Sequence, residues 1–294
     1  MILSVDNLTF GYRKTEVFRG ASLKIEKQGI YGLVAPNGSG KTTLLQLIMG
    51  LYAPNLGEIT VLDSEKFNSK DVSFVQDNTV LYPYLSGHDH LQFICRKHKL
   101  GVNEINKMST ILGMDSYLKD KVSSYSLGMK QRLLLSMGLI KKPKLLLLDE
   151  PLNGLDPTST ILMRETLQDV AKNGTTILVS SHNLSEMDRI TDNVFFIKNK
   201  KIIEEHLSKL KEEKLKIEVL EDTINQVIKV LNQEVIPFER EENAFYFPVK
   251  DITPNEVVRL FVQYDMAIQH IETSYIGAET RYRALFEEEF SYDE

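Results

Sequence analysis

The stretch Gly32-Leu33-Val34-Ala35-Pro36-Asn37-Gly38-Ser39-Gly40-Lys41-Thr42-Thr43-Leu44-Leu45 decides the fold of this chain. The apolar run Gly29-Ile30-Tyr31 before it predicts a buried strand, and the run from Leu44 to Met49 predicts a helix that ends at Gly50. A glycine-rich turn between a strand and a helix can bend tightly and aim successive N–H groups inward. The N-terminus of the helix adds free donors and a partial positive charge. The stretch therefore predicts a phosphate-binding loop.

The spacing inside this loop follows Gly-x-x-x-x-Gly-Lys-Ser/Thr, except that Ala35 stands at the first glycine position. Alanine is the smallest departure, and it matters only if that position requires a positive φ. Gly38 and Gly40 supply the turn. Lys41 can reach the β- and γ-phosphates of a nucleotide, and the Thr42 hydroxyl can ligate Mg²⁺.

The composition of the whole chain limits the classes of function. A length of 294 residues suggests one large domain or two. The net charge of −6 gives no argument for nucleic-acid binding. Cys95 is the single cysteine, so the sequence allows no internal disulfide and fits a reducing compartment. Because no run of about 18 apolar residues occurs, we expect any membrane-spanning part to come from another chain.

The N-terminal region predicts a small antiparallel sheet ahead of the loop, since residues 2–10 and 21–25 alternate between apolar and polar. Tyr12 lies between these strands and has two interpretations. Its ring could stack on an adenine, which contributes roughly 1–3 kcal/mol per base, or it could cover the edge of the sheet. Taken alone, the second interpretation is favoured.

Residues 86–140 predict an almost wholly helical insertion between two α/β halves. Ser86 and Asp89 have the spacing of a capping box, and His90 is expected to be an exposed first-turn residue. Near the end of the insertion, Ser126 predicts the N-cap of another helix. With Gly128 it would form either a second anion site or an ordinary capped helix start.

The second α/β half carries a pair of carboxylates. The short apolar run from Leu145 to Leu148 predicts a parallel strand that is buried on both faces, and Asp149 and Glu150 follow it directly. The carboxyl ends of such strands are where open α/β sheets bind ligands. One carboxylate can hold Mg²⁺ and the other can orient or deprotonate a water. His182 follows the next predicted strand, at the same edge of the sheet.

The composition changes after residue 205, and we divide the chain into a first domain over 1–205 and an accessory α+β domain over 206–294. The accessory domain contains no constellation of catalytic residue types, so we expect it to serve regulation or docking. Its elements follow the order βαββαβ, which predicts a ferredoxin-like unit before a last helix around 278–290. The expected elements are strand 215–220, helix 222–232, strands 234–239 and 244–249, helix 254–265 and strand 267–273.

These motifs, in this order, resemble the ATP-binding subunit of an ABC transporter of the bacterial drug and bacitracin/lantibiotic-peptide exporter type. Residues 35–42 look like Walker A, Asp149 ends a strand that looks like Walker B, and Asp156 falls at the D-loop. The resemblance implies catalytic roles for Glu150, His182 and Gln76, and Mg²⁺ ligation by Thr42, Gln76 and Asp149. It implies nucleotide contacts by Tyr12, Asn37, Gly38, Gly40, Lys41, Thr42, Thr43, Ser126 and Gly128.

The resemblance also implies the setting in which the chain works. Its fold is expected to be a P-loop ABC ATPase core with an antiparallel β subdomain. ATP hydrolysis, with Mg²⁺, would drive a separate transmembrane permease from the inner face of the cell membrane, without nucleic acid as a partner. Two ATPase domains pair head to tail in this family, either as a homodimer or with a sister subunit. The signature motif departs from Leu-Ser-Gly-Gly-Gln at Tyr125, Leu127 and Met129.

Two alternatives stay open at this point. One is an ABC-type ATPase of DNA repair or translation that is not tied to transport. The interval from Lys41 to Ser126 contains no heptad array, and the chain holds a single ATPase cassette, which speaks against that class. The other is an ATP-binding module with little hydrolysis. The presence of Glu150 and His182 speaks against it, whereas Ala35 and the altered signature favour it.

Overall fold

The computed structural model describes residues 1–13, 15–64, 70–207, 213–275 and 278–290. The chain forms two compact units. The first comprises Met1–Glu205 together with the end of the last helix, from Leu285 onward. The second comprises His206–Ala284.

A central sheet organises the first unit. Its described strands are β3 (Ile30–Val34), β5 (Val72–Val75), β6 (Leu145–Asp149), β7 (Thr176–Ser181), β8 (Asn193–Lys198) and β9 (Lys201–His206), in the order β5-β6-β7-β3-β8-β9. The pairs from β5 to β8 are parallel. Strands β3 and β7 are buried along their whole length, and so is β6 up to Leu148, as the continuous apolar runs predict. Parallel pairing brings Val34, Asp149 and Ser181 to the same edge of the sheet.

The predicted antiparallel sheet is present, in the order β2-β1-β4. It contains β1 (Leu3–Tyr12), β2 (Thr15–Ile25) and β4 (Leu56–Val61). Strand β1 continues beyond residue 10 and passes through Gly11. A Cβ at Gly11 would lie 2.6 Å from the Thr15 carbonyl oxygen, so the glycine permits a close approach of β1 and β2. Tyr12 is thereby the last residue of β1.

The described helices of the first unit are α1 (Lys41–Ile48), α2 (Gly87–His98), α3 (Asn103–Ile111), α4 (Leu127–Leu139), α5 (Pro157–Lys172) and α6 (Leu184–Ile190). The insertion is less helical than predicted, because α3 ends before Gly113, which adopts φ +62°, and the segment 112–126 contains turns and one short 3₁₀ helix, Val122–Ser124. The capping box of Ser86 and Asp89 is confirmed. The expected exposure of His90 is wrong. Its ring is buried, its Nε2 accepts from the Tyr82 N–H at 3.0 Å, and its Nδ1 lies 2.7 Å from the Ser86 carbonyl oxygen.

The second unit contains β10 (Glu213–Glu218), α7 (Ile224–Gln233), β11 (Glu239–Glu241), β12 (Ala244–Pro248), α8 (Pro254–Gln263) and β13 (His270–Tyr275). Its described strands form an antiparallel sheet in the order β11-β12-β10-β13. This is the predicted βαββαβ order, although the second strand begins later than expected. Its core includes Leu215, Ile217, Phe245, Phe247 and Phe261, which are all buried.

The last helix, α9 (Ala278–Phe290), ends within the first unit. The Lys198 ammonium, at the end of β8, donates to the Leu285 carbonyl oxygen. It also lies 5.7 Å from the centre of the Phe286 ring, a cation–π contact. Phe286 is only 2% exposed. The final turns of the helix are therefore part of the packing of the first unit.

Candidate nucleotide-binding and catalytic site

The glycines of the loop between β3 and α1 have different physical roles. Gly38 and Gly40 adopt φ +80° and +104°, a region that L-residues rarely occupy. A Cβ at Gly40 would lie 2.5 Å from Val17 Cγ1, whereas a Cβ at Gly38 would meet no atom within 4 Å. Ala35 does not adopt a positive φ and is buried. The residue at this position therefore does not need to be glycine.

Lys41 is the first residue of α1, and its side chain is turned inward. Only 7% of it is exposed. Its ammonium donates to the Ala35 carbonyl oxygen at 2.8 Å and lies 3.4 Å from Glu150 Oε1. A buried ammonium requires such partners, since an isolated buried charge is strongly unfavourable. Lys41 thus joins the loop to the carboxylate that follows β6.

The Thr42 hydroxyl and the Asp149 carboxylate meet at the carboxyl edge of the sheet. Thr42 Oγ1 donates to Asp149 Oδ2 at 2.6 Å. The Ser180 hydroxyl donates to Asp149 Oδ1 at 2.6 Å and accepts from the Glu150 N–H at 3.0 Å. A hydroxyl and a carboxylate are oxygen donors, which are the ligands that Mg²⁺ prefers, so these residues fit that ion. Ser180 is a member of the site that the sequence interpretation did not single out.

Glu150 links Lys41 to His182. Its Oε2 lies 2.8 Å from His182 Nδ1, and the His182 backbone N–H also donates to it at 3.3 Å. An ionised carboxylate only accepts, so Nδ1 carries the proton in this pair. Glu150 adopts φ +50°, a conformation that costs a non-glycine residue about 1–2 kcal/mol. Such strain is typical of residues held in place for function.

An aromatic cluster surrounds Tyr12. Its ring centre lies 5.0 Å from that of Phe10 and 5.5 Å from that of Tyr52, both in edge-to-face geometry. The Tyr12 hydroxyl lies 3.4 Å from Thr43 Oγ1 on α1. The Tyr12 ring is 40% exposed. It therefore presents a surface on which a base could stack beside the phosphate-binding loop. The sequence interpretation did not include Tyr52.

Ser126 and Gly128 lie at the start of α4, apart from the loop. The Ser126 hydroxyl accepts from the Met129 N–H at 3.3 Å, and Met129 Sδ accepts from the Ser126 N–H at 3.4 Å. Across the parts of the chain described above, no hydrogen bond or ion pair joins 126–128 to 35–43. Gln76 follows β5 and borders a groove, and none of the described hydrogen bonds joins its side chain to Thr42 or Asp149.

The comparisons with known proteins agree with this geometry. The ABC transporter family model matches residues 18–153. The chain is 36% identical over 211 residues to the lantibiotic transport ATP-binding protein SrtF of Streptococcus pyogenes, covering 69% of this chain and 89% of that protein. It is 33% identical over 212 residues to the bacitracin transport ATP-binding protein BcrA of Enterococcus faecalis, covering 69% and 68%. The chain belongs to the family of ABC transporter ATP-binding proteins.

This ABC subunit binds nucleotide and hydrolyses ATP in a reaction coupled to transport, and its transporter includes a transmembrane partner. A solved ATP-binding subunit of an ABC transporter shares its fold, with a TM-score of 0.65, 20% identity, and coverage of 90% of this chain and 100% of the other. Among the described helices of the subunit, none has the length and apolar character needed to cross a bilayer.

Proposed function

We propose that this subunit drives the export of a drug or antimicrobial peptide through a separate permease. The observation that carries the ATPase part of the proposal is the position of Glu150 between Lys41 and His182. The cargo class is supported by the names of its relatives, which include lantibiotic, bacitracin and linearmycin proteins. Cargo contacts themselves belong to the permease.

In the proposed reaction, water attacks the γ-phosphorus of ATP, and the bond from that phosphorus to the bridging oxygen breaks. Glu150 orients the water and accepts its proton, while Lys41 neutralises charge on the β- and γ-phosphates. His182 lies beside the carboxylate, where it stabilises the charge that develops on the γ-phosphate. Thr42 and Asp149, with Gln76, would hold Mg²⁺, which supplies charge neutralisation when bound.

We propose that two ATPase domains, as a homodimer or with a sister subunit, close head to tail around ATP. The exposed Ser126 hydroxyl and the N-terminus of α4 then face the nucleotide held by Lys41 of the other domain. ATP stabilises the closed pair because it binds that state better than the separate domains. Hydrolysis and loss of phosphate remove this difference in affinity and reopen the pair.

The permease would dock in a groove of about 420 Å³ between the helical insertion and the segment that follows β5. Gln76 lies on the wall of this groove. Its other walls are largely apolar, and Phe93 and Leu51 are 70% and 56% exposed. Exposed apolar surface of this kind fits the apolar face of a short helix from a partner. Docking there would hold the subunit at the inner face of the cell membrane.

The decisive experiment measures phosphate release from MgATP by the wild-type chain and by Glu150→Gln, with size-exclusion chromatography in ATP. Glu165→Gln is the matched control, because Glu165 is an exposed residue on α5 outside the site. We expect the wild type and the control to hydrolyse ATP, and Glu150→Gln to accumulate as an ATP-bound dimer. Hydrolysis by Glu150→Gln at the wild-type rate would refute the role of Glu150. A wild type that binds ATP but stays monomeric and releases no phosphate would indicate that the chain alone is not a competent motor.

A further inference from the structure

The starts of helices α4 and α5 are packed against each other. A Cβ at Gly128 would lie 2.9 Å from Ser159 Oγ, so the glycine allows the two helix starts to approach closely. A Cβ at Gly154 would lie 2.8 Å from Leu127 Cδ2, which places the Leu127 side chain on the turn before α5. The departure from the usual signature at residue 127 thus adds a contact between the two segments.

A polar connection runs through the same contact. Arg132, one turn further along α4, donates from Nη2 to Ser159 Oγ at 3.3 Å. The Ser159 hydroxyl in turn donates to Asp156 Oδ2 at 2.7 Å, and its N–H donates to Oδ1 at 3.0 Å. A hydroxyl can accept and donate at once, so the three residues form one chain of hydrogen bonds. Ser159 is only 6% exposed, which shields the connection from water.

Arg132 is an unfavourable choice if packing alone decides this position. Its Nε is buried and, among the described residues, has no hydrogen-bond partner. Burial raises the pKa of the neighbouring Tyr117, and the charge of Arg132 and a side-chain hydrogen bond with it oppose that rise. Burying an unpaired N–H is unfavourable, and an apolar side chain would avoid it. The guanidinium reaches two polar side chains, Tyr117 and Ser159, and the contact with Ser159 is the one that connects α4 to the start of α5.

The connection joins segments that serve different nucleotides in the proposed dimer. Asp156 lies six residues after Glu150, which acts on the nucleotide bound by its own domain. Ser126, at the start of α4, faces the nucleotide bound by the partner domain. We infer that Arg132 and Ser159 are positioning residues that make these two segments move together, and so link the two ATP sites. This inference rests on the proposed ATP-closed pair.

The test uses the full chain in the Glu150→Gln background, with Ser159→Ala and Arg132→Gln added singly and together. Ser124→Ala is the control, since it deletes a hydroxyl just before α4 whose one hydrogen bond to the described residues goes to the Lys121 carbonyl oxygen. Analytical ultracentrifugation in MgATP measures the dimer dissociation constant. A fluorescent ADP analogue measures nucleotide binding by the monomer, and thermal melting measures stability. In the hydrolysing background, phosphate release against ATP concentration gives the Hill coefficient.

We expect each single variant to weaken the ATP-dependent dimer about tenfold and to lower the Hill coefficient toward one. Nucleotide affinity of the monomer should stay at the control value, and so should the melting temperature of Arg132→Gln. Ser159→Ala should melt somewhat lower, because its hydroxyl donates to the Asp156 carboxylate. The double variant should dimerise no more weakly than either single variant, because both substitutions remove the same contact.

A dimer dissociation constant equal to that of Ser124→Ala would overturn the inference. A loss of monomer affinity or of stability in both single variants also overturns it, because the residues would then have only a structural role. If the Glu150→Gln parent itself does not dimerise, the proposed pair fails and the inference fails with it.

Discussion

The two positive-φ glycines of the phosphate-binding loop offer a matched pair of substitutions. Gly40→Ala places a Cβ 2.5 Å from Val17 Cγ1 and 3.0 Å from Phe18 Cζ, at φ +104°. The left-handed conformation costs an L-residue about 1–2 kcal/mol, and displacing packed side chains adds about 1–3 kcal/mol. Gly38→Ala has only the first cost, because no atom lies within 4 Å of its Cβ at φ +80°. We expect a loss of unfolding free energy of about 2–5 kcal/mol for Gly40→Ala and about 1–2 kcal/mol for Gly38→Ala.

Urea titration followed by far-UV circular dichroism measures both values, since the chain has no tryptophan to report by fluorescence. The unfolding transition whose urea midpoint shifts belongs to the unit that carries the loop. Any transition of the second unit should stay in place and serves as an internal reference. Equal destabilisation by the two substitutions, or a larger effect at Gly38, would refute the steric reasoning.

Three further outcomes are expected. Tyr12→Ala should raise the dissociation constant for ATP about 5- to 150-fold, because base stacking contributes roughly 1–3 kcal/mol, while Tyr12→Phe keeps the ring and most of the affinity. A nucleotide titration of both variants checks this, and equal losses would contradict stacking. His182→Ala should slow phosphate release by at least about a hundredfold and leave ATP binding intact, and a parallel loss of binding would point instead to a structural role. Asp156→Asn should melt below the wild type at pH 7. The Ser159 hydroxyl and N–H hold the pKa of Asp156 below its ordinary value, so the stabilisation is present above about pH 4 and is lost as the pH falls through the lowered pKa. A melting difference that stays constant down to pH 3 would contradict this assignment.

The features that the sequence predicted well are local. A strand, a turn and a helix within 29–50 determine one another through chain geometry, so the loop around Lys41 follows from adjacent residues. The run ending at Asp149 is buried on both faces and has few other interpretations. The βαββαβ order of the second unit also followed from local periodicity. The domain division at 205 and 206 stays a prediction, as do the roles of Gln76 and Ser126.

The features that the sequence did not predict depend on contacts between distant segments. Ser180 joins the site because β7 pairs with β6, and Tyr52 joins Tyr12 because the chain after α1 folds back toward β1. The His90 ring is buried, and its Nε2 accepts a hydrogen bond from the Tyr82 N–H in the preceding segment. The helical pattern around His90 does not predict this contact. Met129 stands at the position where the usual signature has glutamine. Its sulfur accepts a hydrogen bond from the Ser126 N–H. No pattern of spacing carries such information.

The return of the last helix has a consequence for how this subunit can be divided. Because Lys198 and Phe286 pack within the first unit, that unit is discontinuous along the chain, and the second unit is an insertion into it. A fragment that stops at Glu205 omits the ring that the Lys198 ammonium contacts, and it uncovers a wall of the cavity that Gly38 and Ser39 also line. A minimal ATPase that keeps these contacts is an internal deletion that removes the second unit, joins the chain on its two sides with a flexible linker, and keeps the chain from Leu285 onward.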